Sequence, residues 1–223
     1  MAAIVTAPSE RPGAKSGRVA YRDLREWIAV LEEIDQLARV RAEVDWKYEL
    51  AHITRRTWDV HGDASPALLF ENIKGYKAPG PNKVFVGTFR SWYRTAMMLG
   101  LDPETTTRSE LIRTLRERIN NRAHYLPPRI VASGPVKANI VKGDKVDMTM
   151  FPVPLFGERD GGRFIGTMHS VITRDPDTCL VNAGTYRMML PNGQETGIQL
   201  APANQPIGQH YYKYIEQGER MPV

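Results

Sequence analysis

Residues 164–201 constrain the fold of this chain more than any other stretch, because strand-like runs alternate there with tight-turn signals. The runs are "FIGTMHSVIT", "CLVNAGTYRMML" and "TGIQLA", and the segments between them are "RDPDT" and "PNGQE". Pro, Asp, Asn and Gly are the residues that tight turns favour. Since a tight turn joins neighbouring antiparallel strands, the pattern predicts a meander of long antiparallel strands.

The first half of the chain has a different pattern, in which helices and strands are mixed. Apolar residues at helical spacing follow Asp23, which with Glu26 forms a capping-box-like start, and Thr107 with Glu110 forms a second capping box. Further helices are predicted in "YELAHITRRTWDV" and "RSWYRTAMMLGL", and strands in "ARVRAEVD", "PALLFENI" and "KVFVGTF". This half is therefore predicted to be an α/β domain.

Two prolines in "HYLPPRIVASGP" end the helical pattern and indicate a domain boundary. We divide the chain into a flexible leader at 1–19, an N-terminal α/β domain at 20–125 and a β-rich domain at 126–223. Within the last part, "PVKANIVKGDKVDM" predicts a hairpin around Gly143-Asp144, and "FPVPLFGERDGGR" predicts a connection without a central strand.

The composition narrows the classes of function. The 30 Lys and Arg residues exceed the 25 Asp and Glu residues by five, but the charge is spread along the chain without a nucleic-acid motif, so nucleic-acid binding is not favoured. No apolar run has the length that a membrane span needs, and no secretory signal is recognisable. With a single cysteine, Cys179, no internal disulfide is expected, which predicts a cytoplasmic location.

The run "VNAGTYR" places unusual polar residues in a predicted strand. The side-chain oxygen of Asn182 suits a hard cation, Gly184 permits close approach of a flat ring, and the planar fork of Arg187 matches a carboxylate. Residue types alone leave open that Asn182 ends a hairpin and that Arg187 is a solvated surface residue. Since the two have opposite parity on a strand, a shared site requires a bulge at or next to Gly184.

Several segments together resemble the UbiD-type decarboxylase family. They are "DLREWIAVLEEIDQLARV", "PALLFENIKGY", "FPVP", "DGGRFIG", "VITRDPDTCLVNAGTYRMML" and "TGIQLAP" with "GQHYYKYIEQGERMPV". The resemblance implies an α+β fold, in which the N-terminal α/β domain is followed by part of a flavin-reductase-like split β-barrel. It also implies prenylated FMN as the cofactor and a divalent metal, manganese or magnesium, with potassium as a further candidate ion.

The resemblance assigns roles to individual residues. Asn182 would hold the divalent ion that bridges to the flavin phosphate, Gly184, Thr185 and Tyr186 would pack beside the ring system, and Arg187 would bind cofactor and act as the active-site arginine. Asn204 stands where the family has a metal-ligating histidine, and it remains a candidate oxygen ligand. His210 is a weaker candidate, since a packing role also explains it.

The activity that the resemblance implies is the reversible, non-oxidative decarboxylation of a small aromatic or unsaturated carboxylic acid. The glutamates of the family's Glu-Arg-Glu network would follow Val223, so the chain is expected to be a fragment or to work with a complementary chain that carries the C-terminal part. A homo-oligomer, a dimer or larger, is expected otherwise. Two alternatives stay open: a non-catalytic subunit of a decarboxylase complex and an ordinary FMN-binding protein.

Overall fold

The computed structural model describes residues 21–121, 123, 127, 129–200 and 204–223. The predicted leader at 1–19 and the predicted boundary at 125/126 lie outside these residues. The described part combines helices and short strands, as the α+β prediction required. The elements are α1 (Leu24–Glu33), β1 (Leu37–Val40), α2 (Glu49–His61), β2 (Ala67–Phe70), β3 (Val84–Val86), α3 (Trp92–Met98), α4 (Arg108–Asn120), β4 (Arg163–Gly166), β5 (Val171–Arg174), β6 (Val181–Gly184), β7 (Met188–Leu190), β8 (Gly197–Ile198) and α5 (Pro206–Glu216).

The N-terminal part is built around the buried strand β2. This strand pairs in parallel with β1 and antiparallel with β3. Leu68 and Phe70 pack into one core cluster with Leu50 of α2, whereas Ala67 packs into a second cluster with Trp27 of α1. Because alternate residues of a strand point to opposite faces, β2 buries both of its faces between helices, and all four of its residues are apolar.

A buried arginine ties the loops around this sheet together. Arg94 of α3 is fully buried and donates to Gln36 Oε1 at 3.1 Å and to the backbone oxygens of Ser65 at 2.8 Å and Gly87 at 2.9 Å. Burial lowers the pKa of Arg94 to about 10, so it stays charged at neutral pH. Neutral oxygens therefore accept the hydrogen bonds of the buried guanidinium, and Arg94 has the structural role of holding these loops together.

The predicted hairpin around Gly143-Asp144 is wrong. The segment instead forms single 3-10 turns at Pro135–Lys137, Gly143–Lys145 and Met148–Met150. Its residues are mostly exposed, so a hairpin would bury no apolar face there. In addition, the Met148 N–H donates to the Gly193 oxygen at 2.7 Å, which ties the end of the segment to the later "PNGQE" turn.

The predicted meander of long strands is present only as short pieces in two sheets. One sheet has the order β4-β7-β8 and the other is the hairpin β5-β6, with all pairs antiparallel. Each long run of the sequence is therefore divided: the first gives β4 and β5, and the second gives β6 and β7. The tight turns lie where the sequence predicts them, between β5 and β6 and between β7 and β8.

Strand β4 joins the two parts of the molecule. The guanidinium carbon of Arg163 lies 4.2 Å from the centre of the Trp46 ring, and Arg163 Nη2 donates to the Tyr76 hydroxyl at 2.6 Å. Beside this contact, the backbone amide of Tyr48 donates to the Leu155 oxygen at 3.0 Å. The N-terminal sheet and the β-rich part are thus in direct contact through aromatic and cationic side chains.

Helix α5 packs against the β5-β6 hairpin through polar groups. His210 Nδ1 lies 2.9 Å from Thr173 Oγ1, and both side chains are buried. Lys213 Nζ donates to Asp175 at 2.7 Å, at the turn that joins the two strands. These contacts fix the hairpin against the helix.

No helix of the described residues is long and apolar enough to cross a membrane.

Candidate functional site

The predicted site residues lie where strand pairing stops. Gly166 is paired with Met188 and Val171 with Gly184, so residues 167–170 run opposite residues 185–187 without a regular ladder. Both of the long strands that the sequence predicts are therefore interrupted at these residues. The pairing is thus interrupted next to Gly184, and three of the predicted cofactor residues, Thr185, Tyr186 and Arg187, lie in the unpaired segment.

The extra residue, however, is not on the strand that was expected to bulge. The step from Gly166 to Val171 is five residues, whereas the step from Gly184 to Met188 is four, and a further register shift lies between Phe164 and Gly166. From Val181 to Arg187, exposed and half-buried residues still alternate. The predicted bulge at or next to Gly184 is therefore wrong: the partner strand carries the extra residue, and Asn182 and Arg187 stay on opposite faces.

Arg187 lines an open recess of about 250 Å³ beside sheet β4-β7-β8. Its guanidinium carbon lies 4.5 Å from the centre of the Phe164 ring, which holds the side chain by a cation–π contact. Among the described residues it has no hydrogen-bond or ion-pair partner. The other lining residues are Phe164, Met189, Gly197, Ile198 and Gln199. A free planar cation above a largely apolar floor suits an aromatic group that bears a carboxylate.

Asn182 does not line this recess, and its side-chain hydrogen bond is to a residue four positions later in the chain. Asn182 Nδ2 donates to the Tyr186 hydroxyl at 3.3 Å. The Tyr186 ring lies against Gly184, where an added Cβ would come within 2.7 Å of the ring Cζ and of the hydroxyl oxygen. The flat ring that Gly184 accommodates in this structure is therefore that of Tyr186.

Asn204 lies just before α5, the helix that packs on the β5-β6 hairpin. Because residues directly opposite each other in a ladder point to the same face, Asn182 points to the same side as its partner Thr173, which contacts α5. Asn204 is exposed, and its backbone oxygen accepts from Gln209 Nε2 at 2.9 Å. No recorded contact joins the two asparagine side chains. His210 is buried against Thr173, in keeping with a packing role.

His169 was not among the predicted site residues, and it lies in the interrupted segment opposite Thr185–Arg187. Both ring nitrogens of His169 are buried without a hydrogen-bond partner in the part of the chain that the structure describes. Its ring packs against Gly166, as the Tyr186 ring does against Gly184. Buried polar atoms without partners are uncommon and often mark functional regions. The sequence gives no common spacing for this arrangement, because the ring follows its glycine by three residues at Gly166 and by two at Gly184.

The metal ligands predicted from the sequence, Asn182 and Asn204, are both side-chain amides. Within the described residues, no group of three or more His, Cys, Asp or Glu side chains could hold a metal ion. The candidate ligands are thus neutral amide oxygens, and Asn182 Oδ1 accepts no recorded hydrogen bond. Such oxygens fit a hard cation that is also bound by a phosphate, and they fit a softer cation poorly.

Two domain families match the chain. Residues 28–115 match the UbiD_N family, described as the 3-octaprenyl-4-hydroxybenzoate carboxy-lyase N-terminal domain. Residues 129–223 match the UbiD family, described as the Rift-related domain of the same carboxy-lyase. The chain belongs to the UbiD family. The resemblance predicted from the sequence segments is thereby confirmed, and the chain corresponds to the N-terminal portion of a UbiD-family protein.

The curated relatives of this UbiD-family chain include decarboxylases of aromatic acids. A phenolic acid decarboxylase of Sedimentibacter hydroxybenzoicus is 35% identical over 187 residues, which cover 80% of this chain and 37% of the relative. A pyrrole-2-carboxylic acid decarboxylase of Pseudomonas aeruginosa is 35% identical over 173 residues, which cover 75% of this chain and 34% of the relative. The chain spans about two fifths or less of the length of these relatives.

Solved UbiD-class structures share the fold. The closed form of vanillic acid decarboxylase from Sedimentibacter hydroxybenzoicus superposes with a TM-score of 0.78 at 32% identity, covering 91% of this chain and 42% of that one. An evolved dimeric form of the enzyme HmfF from Pelotomaculum thermopropionicum, in complex with prFMN, has a TM-score of 0.72 at 27% identity, covering 89% and 42%.

Proposed function

We propose that this chain is the N-terminal, cofactor-binding portion of a prenylated-FMN-dependent enzyme that reversibly decarboxylates an aromatic or conjugated carboxylic acid. The observation that carries the proposal is the free guanidinium of Arg187 above the Phe164 ring, in a chain whose relatives are decarboxylases of phenolic and pyrrole acids. Arg187 would orient the carboxylate, and the Met189 and Phe164 side chains would support a flat ring system and keep water from it.

We infer that a flavin mononucleotide would be held at two separate places of this chain. The apolar recess accepts a ring, and Asn182, with Asn204, would hold a magnesium or manganese ion against the phosphate. When bound, the prenylated flavin supplies the electron sink for decarboxylation. The recess volume of about 250 Å³ is below the roughly 300–1,000 Å³ of complete ligand sites. Further walls, and the split-barrel closure, would come from residues outside this chain.

The partners and the location follow from the same proposal. One vanillic acid decarboxylase structure contains a second component, ShVdcD, in truncated form. We infer that the present chain likewise works with polypeptide that completes the site, or as a homo-oligomer, in the cytoplasm. The exposed free thiol of Cys179 is consistent with a reducing compartment.

Flavin binding tests the proposal directly. FMN and prenylated FMN are added separately to the complete protein, and flavin fluorescence quenching and absorption are recorded for wild type, Arg187→Ala and the control Arg159→Ala. Arg159 is exposed and does not line the recess. We expect wild type and Arg159→Ala to bind prenylated FMN tightly and Arg187→Ala to bind it more weakly. We also expect the loaded wild-type protein to exchange labelled bicarbonate into the acid substrate. Binding of FMN without turnover would indicate an ordinary flavoprotein, and no binding would indicate a non-catalytic subunit.

A further inference from the structure

Asn182 and Gly184 of β6 and Tyr186, two residues beyond the end of that strand, form a row of alternate residues along the chain. All three are half-buried, whereas Val181, Ala183 and Thr185 are exposed. On an extended strand, positions i and i+4 are about 13 Å apart, which is normally too far for side chains to touch. The hydroxyl of Tyr186 nevertheless accepts a hydrogen bond from Asn182 Nδ2 at 3.3 Å. The ring must therefore fold back along the strand.

Gly184 makes this folding possible. A Cβ on Gly184 would come within 2.7 Å of both Cζ and Oη of Tyr186, which is closer than real Cβ atoms approach other atoms. The backbone of Gly184 does not lie in the left-handed region, so its conformation alone does not require glycine. The absence of a side chain is thus needed for the Tyr186 ring, which bridges from position 186 to position 182.

In this structure the Tyr186 hydroxyl accepts from the nitrogen end of the Asn182 amide. The amide has a nitrogen that donates and an oxygen that accepts, and without an anchor it can turn either end outward. With Nδ2 held by Tyr186, Oδ1 points away and accepts no recorded hydrogen bond from the described residues. Only the oxygen can ligate a cation, because an outward NH₂ group would repel it.

We propose that Tyr186 is a positioning residue that presents the Asn182 oxygen to the cation of the cofactor site. This inference rests on the proposed function and adds to it a residue that acts through another. Gly184 contributes to the same arrangement, since it provides the space for the Tyr186 ring. Groups that orient a metal ligand by a hydrogen bond commonly change metal affinity about 10- to 100-fold when they are removed.

Manganese affinity measures this role without relying on turnover. Manganese is titrated into the complete protein loaded with FMN, and free manganese is followed by electron paramagnetic resonance. The variants are Tyr186→Phe, which keeps the ring and removes the hydroxyl, Gly184→Ala, which displaces the ring, and Asn182→Ala. Tyr212→Phe is the matched control, because Tyr212 is an exposed tyrosine of α5.

We expect Tyr186→Phe to bind manganese about 10-fold more weakly at an unchanged melting temperature, with Tyr212→Phe equal to wild type. Gly184→Ala should show the same loss. Wild-type affinity in Tyr186→Phe, together with a loss in Asn182→Ala, would overturn the positioning role and leave the proposed function standing. Wild-type affinity in Asn182→Ala, or no manganese binding by the loaded wild type, would overturn the cation site and the positioning role with it.

Discussion

At the scale of single residues, the important property of Arg187 is that its guanidinium has no hydrogen-bond or ion-pair partner among the described residues. Its guanidinium contacts the Phe164 ring but has no carboxylate or carbonyl partner among the described residues, unlike Arg94, which is saturated by oxygens. An arginine kept free at the edge of an apolar recess retains its full capacity to bind an anion. The hydrogen-bonding capacity of Arg94 is thus used by the fold, whereas that of Arg187 is open.

The substitution Arg187→Lys keeps the charge and removes the planar fork. We expect the fold of the complete enzyme to be unchanged and kcat/KM to fall by about 1–3 kcal/mol of transition-state free energy, the scale of a charge-assisted hydrogen bond. Steady-state kinetics with the acid substrate measure the loss, and circular dichroism checks the fold. Turnover equal to wild type would mean that Arg187 does not contact the reacting carboxylate.

Asn204→His restores the imidazole that the family resemblance places at this position. Because an imidazole is a better ligand than an amide oxygen for a borderline-soft cation, we expect tighter manganese binding in the flavin-loaded protein. The gain is limited unless a neighbouring group orients the new ring. Titration of manganese into wild type and variant is the measurement. Equal affinities would show that residue 204 does not face the ion.

Single elements of this chain are set by local signals. The Thr107 side chain accepts from the Glu110 amide, and the Glu110 carboxylate accepts from the Thr107 amide at 2.8 Å, which completes the capping box of α4. Only Leu111 of this helix is buried, so tertiary packing adds little to its stability. The cap is therefore a large share of what holds the first turn.

Thr107→Ala should lower the free energy of unfolding by about 1 kcal/mol, because it removes the side-chain acceptor of the cap. Urea denaturation followed by circular dichroism measures the change. Thr105→Ala is the control, since Thr105 is exposed in the preceding loop and its side chain makes no recorded hydrogen bond. An equal effect in both variants would show that the capping box contributes nothing.

The turn between β5 and β6 depends on a charged group. The hydrogen bond from Lys213, supported by the backbone amides of Thr178 and Asp177, holds the pKa of the Asp175 carboxyl well below its usual value. The folded state therefore favours the ionised form. The resulting stabilisation is present above about pH 4, the ordinary carboxyl pKa, and it is lost as the pH falls further.

Asp175→Asn keeps an oxygen for the turn amides and removes the charge that binds Lys213. We expect a lower urea midpoint than wild type at pH 7 and a difference that shrinks as the pH falls toward 3. Asp144→Asn, which removes an exposed carboxylate without recorded partners, is the control and should match wild type at both values. A difference that does not depend on pH would contradict the ionic account.

Local sequence signals predicted single helices and strands better than they predicted which strands and side chains come into contact. The capping box of α4 and the strands β2 and β3 could be predicted because caps and buried apolar runs are local features. The lengths of the later strands could not, since the pairing stops where the Tyr186 and His169 rings occupy the space beside two glycines. The free state of Arg187 and the anchoring of Asn182 were also beyond prediction, because each depends on what the neighbouring strand or ring occupies.

At the scale of the whole molecule, the β5-β6 hairpin shows an apolar face to solvent. Ile172 is 52% exposed and Val181 57% exposed, and their partners Ala183 and Arg174 lie on the same outward face. The inward face carries Thr173, which is buried against α5. An exposed apolar face on a two-stranded sheet favours association with another surface.

The double substitution Ile172→Thr, Val181→Thr should reduce self-association of the chain without lowering its melting temperature. Threonine keeps the β-branched shape that strands favour, and little buried area is lost. Sedimentation velocity over a range of concentrations measures the average mass. Val136→Thr, at a residue that is 87% exposed outside the hairpin, is the control. Unchanged association in the double variant would mean that another surface joins the molecules.

Neighbouring residues of strand β4 face two different environments. Arg163 points to Trp46 and Tyr76 of the N-terminal part, and the next residue, Phe164, points to the recess below Arg187. Deleting or inserting a single residue within β4 would exchange the two sides. A guanidinium would then face Arg187 across the recess, and a phenyl ring would replace the cation between two aromatic rings. The gene should therefore tolerate almost no in-frame change in the length of this strand.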